Sequence, residues 1–280
     1  MTSSAAVPDQ APFYVEQGDR ATNDICSKNS ESSYTIDGKD ITLPVVVGNA
    51  SMLMNGFLVD AKAAQAMLAG TGFRVVELFP GKAILQLLLV DYKENDLGDY
   101  NEGAIIFPVL TPGEKKPFPF FGTMKRMGAG DIGNFVYRMP VDQEFTTHAG
   151  RFIWGFPKWV TRVDFEFGPR RAHGAFIDDG ELVYAIEAKT GGKAQPAQQR
   201  AASLAIRDGK AWKTYGVNEP SGMTFSLGGK KPQIGDSHPL AKELRALGLP
   251  KRPMFTVSVE RTRMTFDKPE SVDIGTPFST

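Results

Sequence analysis

Short runs of alternating apolar and polar residues fill most of the chain, and glycine or proline separates one run from the next. This alternation has the period of a half-buried β-strand, whose side chains point to opposite faces in turn. It predicts strands over residues 41–47, 73–78, 83–92, 104–110, 134–138, 162–167, 172–178, 181–188 and 254–266, with further strands within 201–230. The frequent turns, from 29 glycines and 19 prolines, suit a predominantly antiparallel β architecture.

Helical patterns are confined to two segments. A stretch of good helix formers begins after Asp60, and Gly70 ends it. A second helix is expected from Pro239 to about Leu247, directly before Gly248. We therefore predict a mainly β fold that carries a few helices.

The run over residues 83–92 is apolar at almost every position. Such a run predicts a strand that is buried on both faces, or one that lines a filled barrel. Gln86 interrupts it. A buried glutamine needs hydrogen-bond partners, so Gln86 is either a satisfied core residue or a contact for a ligand.

Length and composition limit the classes of protein that the chain can belong to. With 280 residues we predict an irregular, polar N-terminal arm over 1–40 and a single domain over 41–280. The 32 basic and 32 acidic residues balance, which gives no support for a nucleic-acid partner or an anionic membrane partner. The one cysteine, Cys26, excludes an internal disulfide framework and a cysteine-clustered metal site. No apolar run has transmembrane length and the first residues do not resemble a signal peptide, so a cytoplasmic location is expected.

Aromatic residues crowd around one lysine in the segment GRFIWGFPKWV, residues 150–160. If this segment is extended, Phe152, Trp154 and Phe156 share a face with Lys158, while Pro157 restricts it to an edge, a strand start or a bulge. Burial against an aromatic wall would lower the pKa of the lysine and produce a neutral amine that can form an imine with a ketone. The alternative is a surface lysine whose stem lies over apolar neighbours. His148, just upstream, is either structural or a proton shuttle.

The run Gly-Arg, five residues, then Pro-Lys resembles the active-site segment of the acetoacetate decarboxylase family. The resemblance implies that Lys158 forms the Schiff base with the substrate ketone. Tyr100-Asn101-Glu102-Gly103 resembles the segment that carries the family's active-site carboxylate, which implies that role for Glu102. By themselves these residues predict a polar turn before a strand, in which most glutamates are solvated. The helix near Pro239 is also similar to the family's C-terminal part, so the resemblance spans most of residues 45–270. It implies an antiparallel, cone-like β-barrel and a homo-oligomer, with neither a metal nor an organic cofactor.

Four positions depart from the family pattern, and each departure removes a charge. A second lysine is replaced by Trp159, a glutamate after Gly-Arg by Phe152, a pocket carboxylate by Leu87, and an arginine near the first strand by Ala50. A pocket without these charges would hold a small, doubly polar acid poorly and would gain from apolar contact. We therefore expect a keto substrate that is bulkier and more hydrophobic than acetoacetate.

Three functions remain open. The first is Schiff-base decarboxylation of a β-keto acid, catalysed by Lys158 and Glu102. The second uses the same imine for aldol, retro-aldol or dehydration chemistry. The third is a non-catalytic barrel that binds a hydrophobic small molecule. Gln86, Phe152 and Trp154 are the predicted substrate-binding residues.

Overall fold

The computed structural model describes residues 14–15 and 25–273, and most of these residues lie in strands. In chain order the strands are β1 (Tyr14–Val15), β2 (Cys26–Ser30), β3 (Ser33–Ile36), β4 (Lys39–Thr42), β5 (Val45–Asp60), β6 (Arg74–Val75), β7 (Glu77–Phe79), β8 (Lys82–Asn95), β9 (Tyr100–Leu110), β10 (Gly133–Val141), β11 (Lys158–Val160), β12 (Arg162–Phe167), β13 (Arg171–Asp178), β14 (Glu181–Lys189), β15 (Gln199–Arg207), β16 (Lys210–Leu227), β17 (Gln233–Ile234), β18 (Phe255–Phe266) and β19 (Glu270–Val272). The predicted mainly β fold class is confirmed.

Helices are few and short. They are α1 (Ala61–Met67), α2 (Phe121–Gly128), α3 (Glu144–Ala149), a π-helix (Gly150–Trp154) and α4 (Pro239–Ala246). Both predicted helices are present, and the Asp60 side chain caps α1 by accepting a hydrogen bond from the Ala63 amide. The sequence did not predict α2, α3 or the π-helix. These segments are too short to show a helical period, and they lack the N-cap Asp or N-terminal Pro that marks α1 and α4.

The main sheet follows the order β1-β15-β10-β9-β8-β5-β18-β16-β19, and β16 also pairs with β15. The pairings from β15 through β10, β9, β8, β5, β18 and β16 therefore return to β15. Most neighbours are antiparallel, whereas β10 is parallel to β11 and to β15. A four-stranded sheet of β12, β13, β14 and β17 and a three-stranded sheet of β2, β3 and β4 accompany it.

Strand β8 has a hydrophobic cluster on each of its faces. Leu87 and Leu89 belong to one cluster, whereas Val90 and Tyr92 belong to the other. Burial on both faces explains the continuous apolar run of this strand, as the sequence predicted. The second cluster contains Phe152, Trp154 and Phe156 of the segment 150–160 and surrounds the candidate site.

Two expectations from the sequence are wrong. Residues 26–40, expected to be irregular, form β2, β3 and the start of β4, which pair antiparallel; apart from residues 14–15, the part of the predicted arm before residue 25 lies outside the described residues. The segment 150–160 is not extended before Lys158, which was the condition for Phe152, Trp154 and Phe156 to share a face with that lysine. It continues α3 as a π-helix, turns at Gly155 with φ of 74° and becomes a strand at Lys158. Arg207 donates hydrogen bonds to the carbonyl oxygens of Phe152 and Ile153, which the end of a helix would otherwise leave unpaired.

Among the described residues, no helix is long and apolar enough to cross a membrane. The division into an arm and a single domain stays a prediction.

Candidate active site

Lys158 is the first residue of β11, where the parallel pairing places it beside Met139 of β10. Its position directly after Pro157 fits the restriction of proline to a strand start. The side chain is 4% exposed and lies over the backbone of Gly150. A Cβ at residue 150 would come within 2.5 Å of the Lys158 Cδ, so only glycine leaves room for this path.

Three oxygen atoms surround the Lys158 ammonium group. The Glu102 Oε2 lies 2.8 Å from Nζ, the Thr146 Oγ1 3.1 Å and the Tyr100 hydroxyl 3.4 Å. Nζ is also 4.9 Å from the centre of the Tyr100 ring, within cation–π distance. All four side chains are buried. The lysine is therefore held by a carboxylate and two hydroxyls, and not by apolar contacts alone.

The acceptors come from two places in the fold. Glu102 and Tyr100 are two residues apart on β9 and so share one face of the sheet. Tyr92 of β8 pairs directly with Tyr100, their rings stack 4.5 Å apart, and the Tyr92 hydroxyl donates to Glu102 Oε1 at 3.2 Å. Thr146 comes from α3, whose N-cap residue Gln143 accepts a hydrogen bond from the Thr146 amide.

The electrostatics of Lys158 correct the prediction from the sequence. Burial lowers the pKa of Lys158, but the Glu102 carboxylate and the Tyr100 hydroxyl together outweigh it and raise the pKa above its usual value. In the resting site the lysine is thus an ammonium ion paired with Glu102. Burial also raises the pKa of Tyr92 and that of Tyr100, so both hydroxyls are protonated at neutral pH.

A small cavity of about 40 Å3 lies next to this group. Its apolar lining consists of Val45, Leu97, Met139, Trp154, Phe156 and Phe266. Asn95 and Ser203 add polar groups to the two tyrosines and the ion pair. Among the described residues that line the cavity, Lys158 is the only lysine or arginine.

The structure brings three of the five predicted site residues together. Lys158, Glu102 and Trp154 line the cavity, and Trp154 is fixed by stacking on Phe156 and by donating to the Asp267 carbonyl at 2.9 Å. Phe152 lies outside the lining and packs edge to face against Tyr34. The predicted substrate-binding roles stay predictions.

Gln86 is also outside the lining. It lies four residues along β8 from Val90, which pairs with Glu102, and this spacing corresponds to roughly 13 Å. Its side chain shares a sheet face with Tyr92, so the distance along the strand, and not the face, separates it from Lys158.

None of the four charge-removing departures lines the cavity. Leu87 and Trp159 both pack in the other hydrophobic cluster, and the Trp159 indole donates to Asp178 at 3.0 Å. The inference that these residues make the pocket apolar is wrong. Ala50, by contrast, pairs with Tyr92 and is buried in the cluster around the site. The pocket is apolar through side chains of β5, β18 and the segment 150–160 instead.

Sequence reasoning missed Thr146 and Tyr92, and treated Tyr100 only as a marker before Glu102. A tyrosine two residues before a carboxylate on a strand shares its face, which is the signal that singles out Tyr100. No comparable signal exists for Thr146, which depends on the unpredicted helix α3. His148 of that helix binds Asp37 at 2.8 Å and does not line the cavity. Within the described residues no group of three or more His, Cys, Asp or Glu side chains is placed to hold a metal ion.

Comparison with known proteins relates the chain to one family. A family model described as acetoacetate decarboxylase matches residues 30–214, a range that includes Glu102, Thr146 and Lys158. Among curated protein sequences, none matches the chain.

Solved structures with the same fold have low sequence identity to the chain. An acetoacetate decarboxylase from Legionella pneumophila is 16% identical, with a TM-score of 0.57 over 82% of this chain and 87% of that chain. An acetoacetate decarboxylase-like enzyme from Sphingomonas wittichii RW1 is 13% identical, with a TM-score of 0.54 over 82% and 93%. The enduracididine biosynthesis enzyme MppR, solved with pyruvate, is 16% identical, with a TM-score of 0.53 over 84% and 91%.

Proposed function

The chain belongs to the acetoacetate decarboxylase family, and on that premise we propose that it is a Schiff-base decarboxylase for a β-keto acid more hydrophobic than acetoacetate. Lys158 is the nucleophile and Glu102 the proton-transfer group. The observation that carries the proposal is the buried Lys158–Glu102 pair at 2.8 Å, which faces a largely apolar cavity. A buried ion pair is weak as a source of stability, so a role in chemistry accounts for it better.

Imine formation begins with transfer of one proton from Nζ to Glu102, which lies within hydrogen-bond distance. The neutral amine then attacks the ketone carbon and forms a carbinolamine. Loss of water gives a cationic imine and restores the Glu102 carboxylate. The ion pair is thus re-formed, with the imine nitrogen in the place of the ammonium group.

Decarboxylation breaks the bond between the α-carbon and the carboxylate, and its electrons move to the imine nitrogen to give carbon dioxide and a neutral enamine. Glu102 then has no cationic partner, and a buried carboxylate without one is costly. It therefore takes up a proton from solvent and passes it to the enamine carbon, which regenerates the cationic imine. Hydrolysis releases the ketone, and the whole reaction consumes one proton per turnover.

The cavity supports a hydrophobic substrate. Trp154, Phe156 and Phe266 offer aromatic surface on one side of the cavity, and each Å2 of apolar contact contributes about 25 cal/mol. No second cation of the described lining is available to hold a carboxylate, so affinity depends on the apolar part of the molecule.

The same lack of a second cation favours one other candidate, in which the imine serves aldol, retro-aldol or dehydration chemistry on an uncharged carbonyl compound. MppR, which shares the fold, has been solved with the condensation product of pyruvate and imidazole 4-carboxaldehyde. Both candidates use Lys158 and Glu102 in the same first steps. A cytoplasmic location and a homo-oligomeric assembly stay predictions.

A substrate series separates these reactions. Acetoacetate, 3-oxohexanoate and benzoylacetate are compared by carbon dioxide release, and β-hydroxy ketones with the same substituents are compared by retro-aldol cleavage and loss of water. We expect carbon dioxide release that is fastest with benzoylacetate and absent in Lys158→Met. Acetoacetate as the best acid would contradict the inferred pocket, and cleavage of the hydroxy ketones alone would favour the second candidate.

A further inference from the structure

The two oxygens of Glu102 face different partners. Oε2 lies 2.8 Å from the Lys158 ammonium group, whereas Oε1 accepts a hydrogen bond from the Tyr92 hydroxyl at 3.2 Å. The carboxylate therefore links the reacting nitrogen to a second, separate hydrogen-bonded group. That group is not needed to hold Lys158, because the Tyr92 hydroxyl bonds to Glu102 and acts on Nζ through it.

Tyr100 completes a ring of contacts back to the nitrogen. Its hydroxyl is 3.4 Å from Lys158 Nζ, the Thr146 hydroxyl is 3.1 Å from the same nitrogen, and Tyr92 is the direct neighbour of Tyr100 on β8. Tyr92 and Tyr100 stack at 4.5 Å, which fixes the two hydroxyls relative to each other. Tyr92, Tyr100 and Thr146 are 4%, 7% and 0% exposed. Protons that move within this group therefore move between protein atoms and not through bulk solvent.

Imine formation needs an acid as well as a base. The oxygen of the ketone must gain two protons before it can leave as water, one when the amine attacks and one when the carbinolamine breaks down. That oxygen is bonded to the same carbon as Nζ, so a hydroxyl 3.4 Å from Nζ lies within reach of it. Glu102 takes a proton from the nitrogen, and a separate donor at the oxygen lets both transfers proceed in the same site.

We propose that Tyr100 is a catalytic residue that donates protons to the departing carbonyl oxygen, and that Tyr92 returns protons to Tyr100 from Glu102. This relay rests on the proposed Schiff-base function. The balance closes within the group: the two protons that Nζ loses pass by way of Glu102, Tyr92 and Tyr100 to the oxygen, which leaves as water. The Glu102 carboxylate and both tyrosines end in their starting protonation states beside the cationic imine. Thr146, which contacts both Nζ and Tyr100, is a positioning residue.

The test compares two reagents that need the same amine but differ in the need for an acid. 1-Phenyl-1,3-butanedione, a β-diketone, condenses with an amine and loses water, whereas phenyl isothiocyanate adds to an amine without losing an oxygen atom. Both adducts on Lys158 are quantified over time by mass spectrometry of the intact protein and its peptides. The measured quantity is the ratio of the two rates, which cancels any change in the availability of the neutral amine.

In Tyr100→Phe we expect this ratio to fall by about a hundredfold or more, the usual contribution of a positioned general acid. In Tyr92→Phe we expect the ratio to fall by about tenfold. Tyr100 can still donate its own proton there, but it is reprotonated slowly afterwards. Tyr34→Phe is the matched control, since it removes a hydroxyl from a tyrosine buried in the same cluster but outside the cavity lining, and its ratio should equal that of the wild type.

An unchanged ratio in both Tyr100→Phe and Tyr92→Phe would overturn the relay, even if both reagents reacted more slowly, because a structural effect on Lys158 slows both. Should Tyr100→Phe fail to fold, as judged by its thermal transition, the ratio in Tyr92→Phe alone decides the question. A wild-type protein that reacts with the isothiocyanate at Lys158 but never with the diketone would overturn the proposed function and the relay together. A wild-type adduct with unchanged ratios in the variants overturns only the relay.

Discussion

Replacing Glu102 by glutamine should reverse the direction in which the site shifts the pKa of Lys158. Burial lowers this pKa, and the raised value in the wild-type protein depends on the Glu102 carboxylate, with help from Tyr100. Glutamine keeps the size and the hydrogen-bonding capacity of the side chain but has no charge. Burial then dominates, and fully buried lysines have pKa values lowered by about 3 to 5 units.

The stability of the two proteins should therefore depend on pH in different ways. In the wild type the folded-state pKa lies above the unfolded value of about 10.4, so the stabilisation is complete below that pH and is lost only as pH rises through the folded pKa. In Glu102→Gln the folded-state pKa lies below 10.4, so the unfolded state binds more protons between the two values. The free energy of unfolding of the variant then rises with pH by up to about 1.36 kcal/mol per unit, or about 2.7 kcal/mol from pH 7.5 to 9.5.

Urea denaturation at several pH values in this interval measures the effect as the difference between variant and wild type. Glu187→Gln is the control, since the Glu187–Lys230 pair has the same 2.8 Å distance but is partly exposed, and exposed pairs contribute little. The variant should also react faster with phenyl isothiocyanate at pH 7.5, because more of Lys158 is neutral, while turnover falls by about a hundredfold or more. A slope equal to that of the wild type, or unchanged turnover, would refute the role assigned to Glu102.

Two further substitutions test the geometry of the site. Gly150→Ala should displace the Lys158 side chain, whose Cδ lies 2.5 Å from the position of the added Cβ, and should abolish imine trapping. Gly128→Ala in α2 is the control in the same assay, because no atom lies within 4 Å of the Cβ added there. Trp154→Ala should raise the KM for an aryl substrate by about tenfold, if about 60 Å2 of apolar contact is lost at about 25 cal/mol per Å2. Phe152→Ala and Gln86→Leu should change this KM less than about threefold, because neither residue lines the cavity. Equal effects of all three on the KM would show that the substrate extends beyond the cavity described.

The sequence was sufficient to predict the fold class because long strands leave a clear period of two. The double-sided burial of β8 could be predicted for a different reason, since its nearly continuous run of apolar residues occupies both faces. The strands within residues 26–40 were missed because short, polar strands at the surface resemble turns. The segment 150–160 was misjudged because its aromatic residues suggested a strand, while the features that make it a helix, the preceding α3 and the contact with Arg207, lie outside it.

The candidate site could be predicted only where a motif marked it. Lys158 and Glu102 followed from two motifs, and the structure places them in contact. The raised pKa of Lys158 could not be foreseen, because it depends on a carboxylate 56 positions earlier in the chain that reaches Nζ only after β9, β10 and β11 have come together. The apolar lining contributed by Val45 and Phe266 depends on the same long-range pairing, here between β5 and β18.

The central claim is that Lys158 forms an imine with a ketone in the cavity. Borohydride reduction in the presence of benzoylacetate, followed by peptide mapping, tests it most directly, with Lys230 as an internal reference for exposed lysines. The account predicts one secondary amine per chain, at Lys158, and none in Lys158→Met. A label spread over exposed lysines, or none on Lys158 with any ketone of the series, would contradict it.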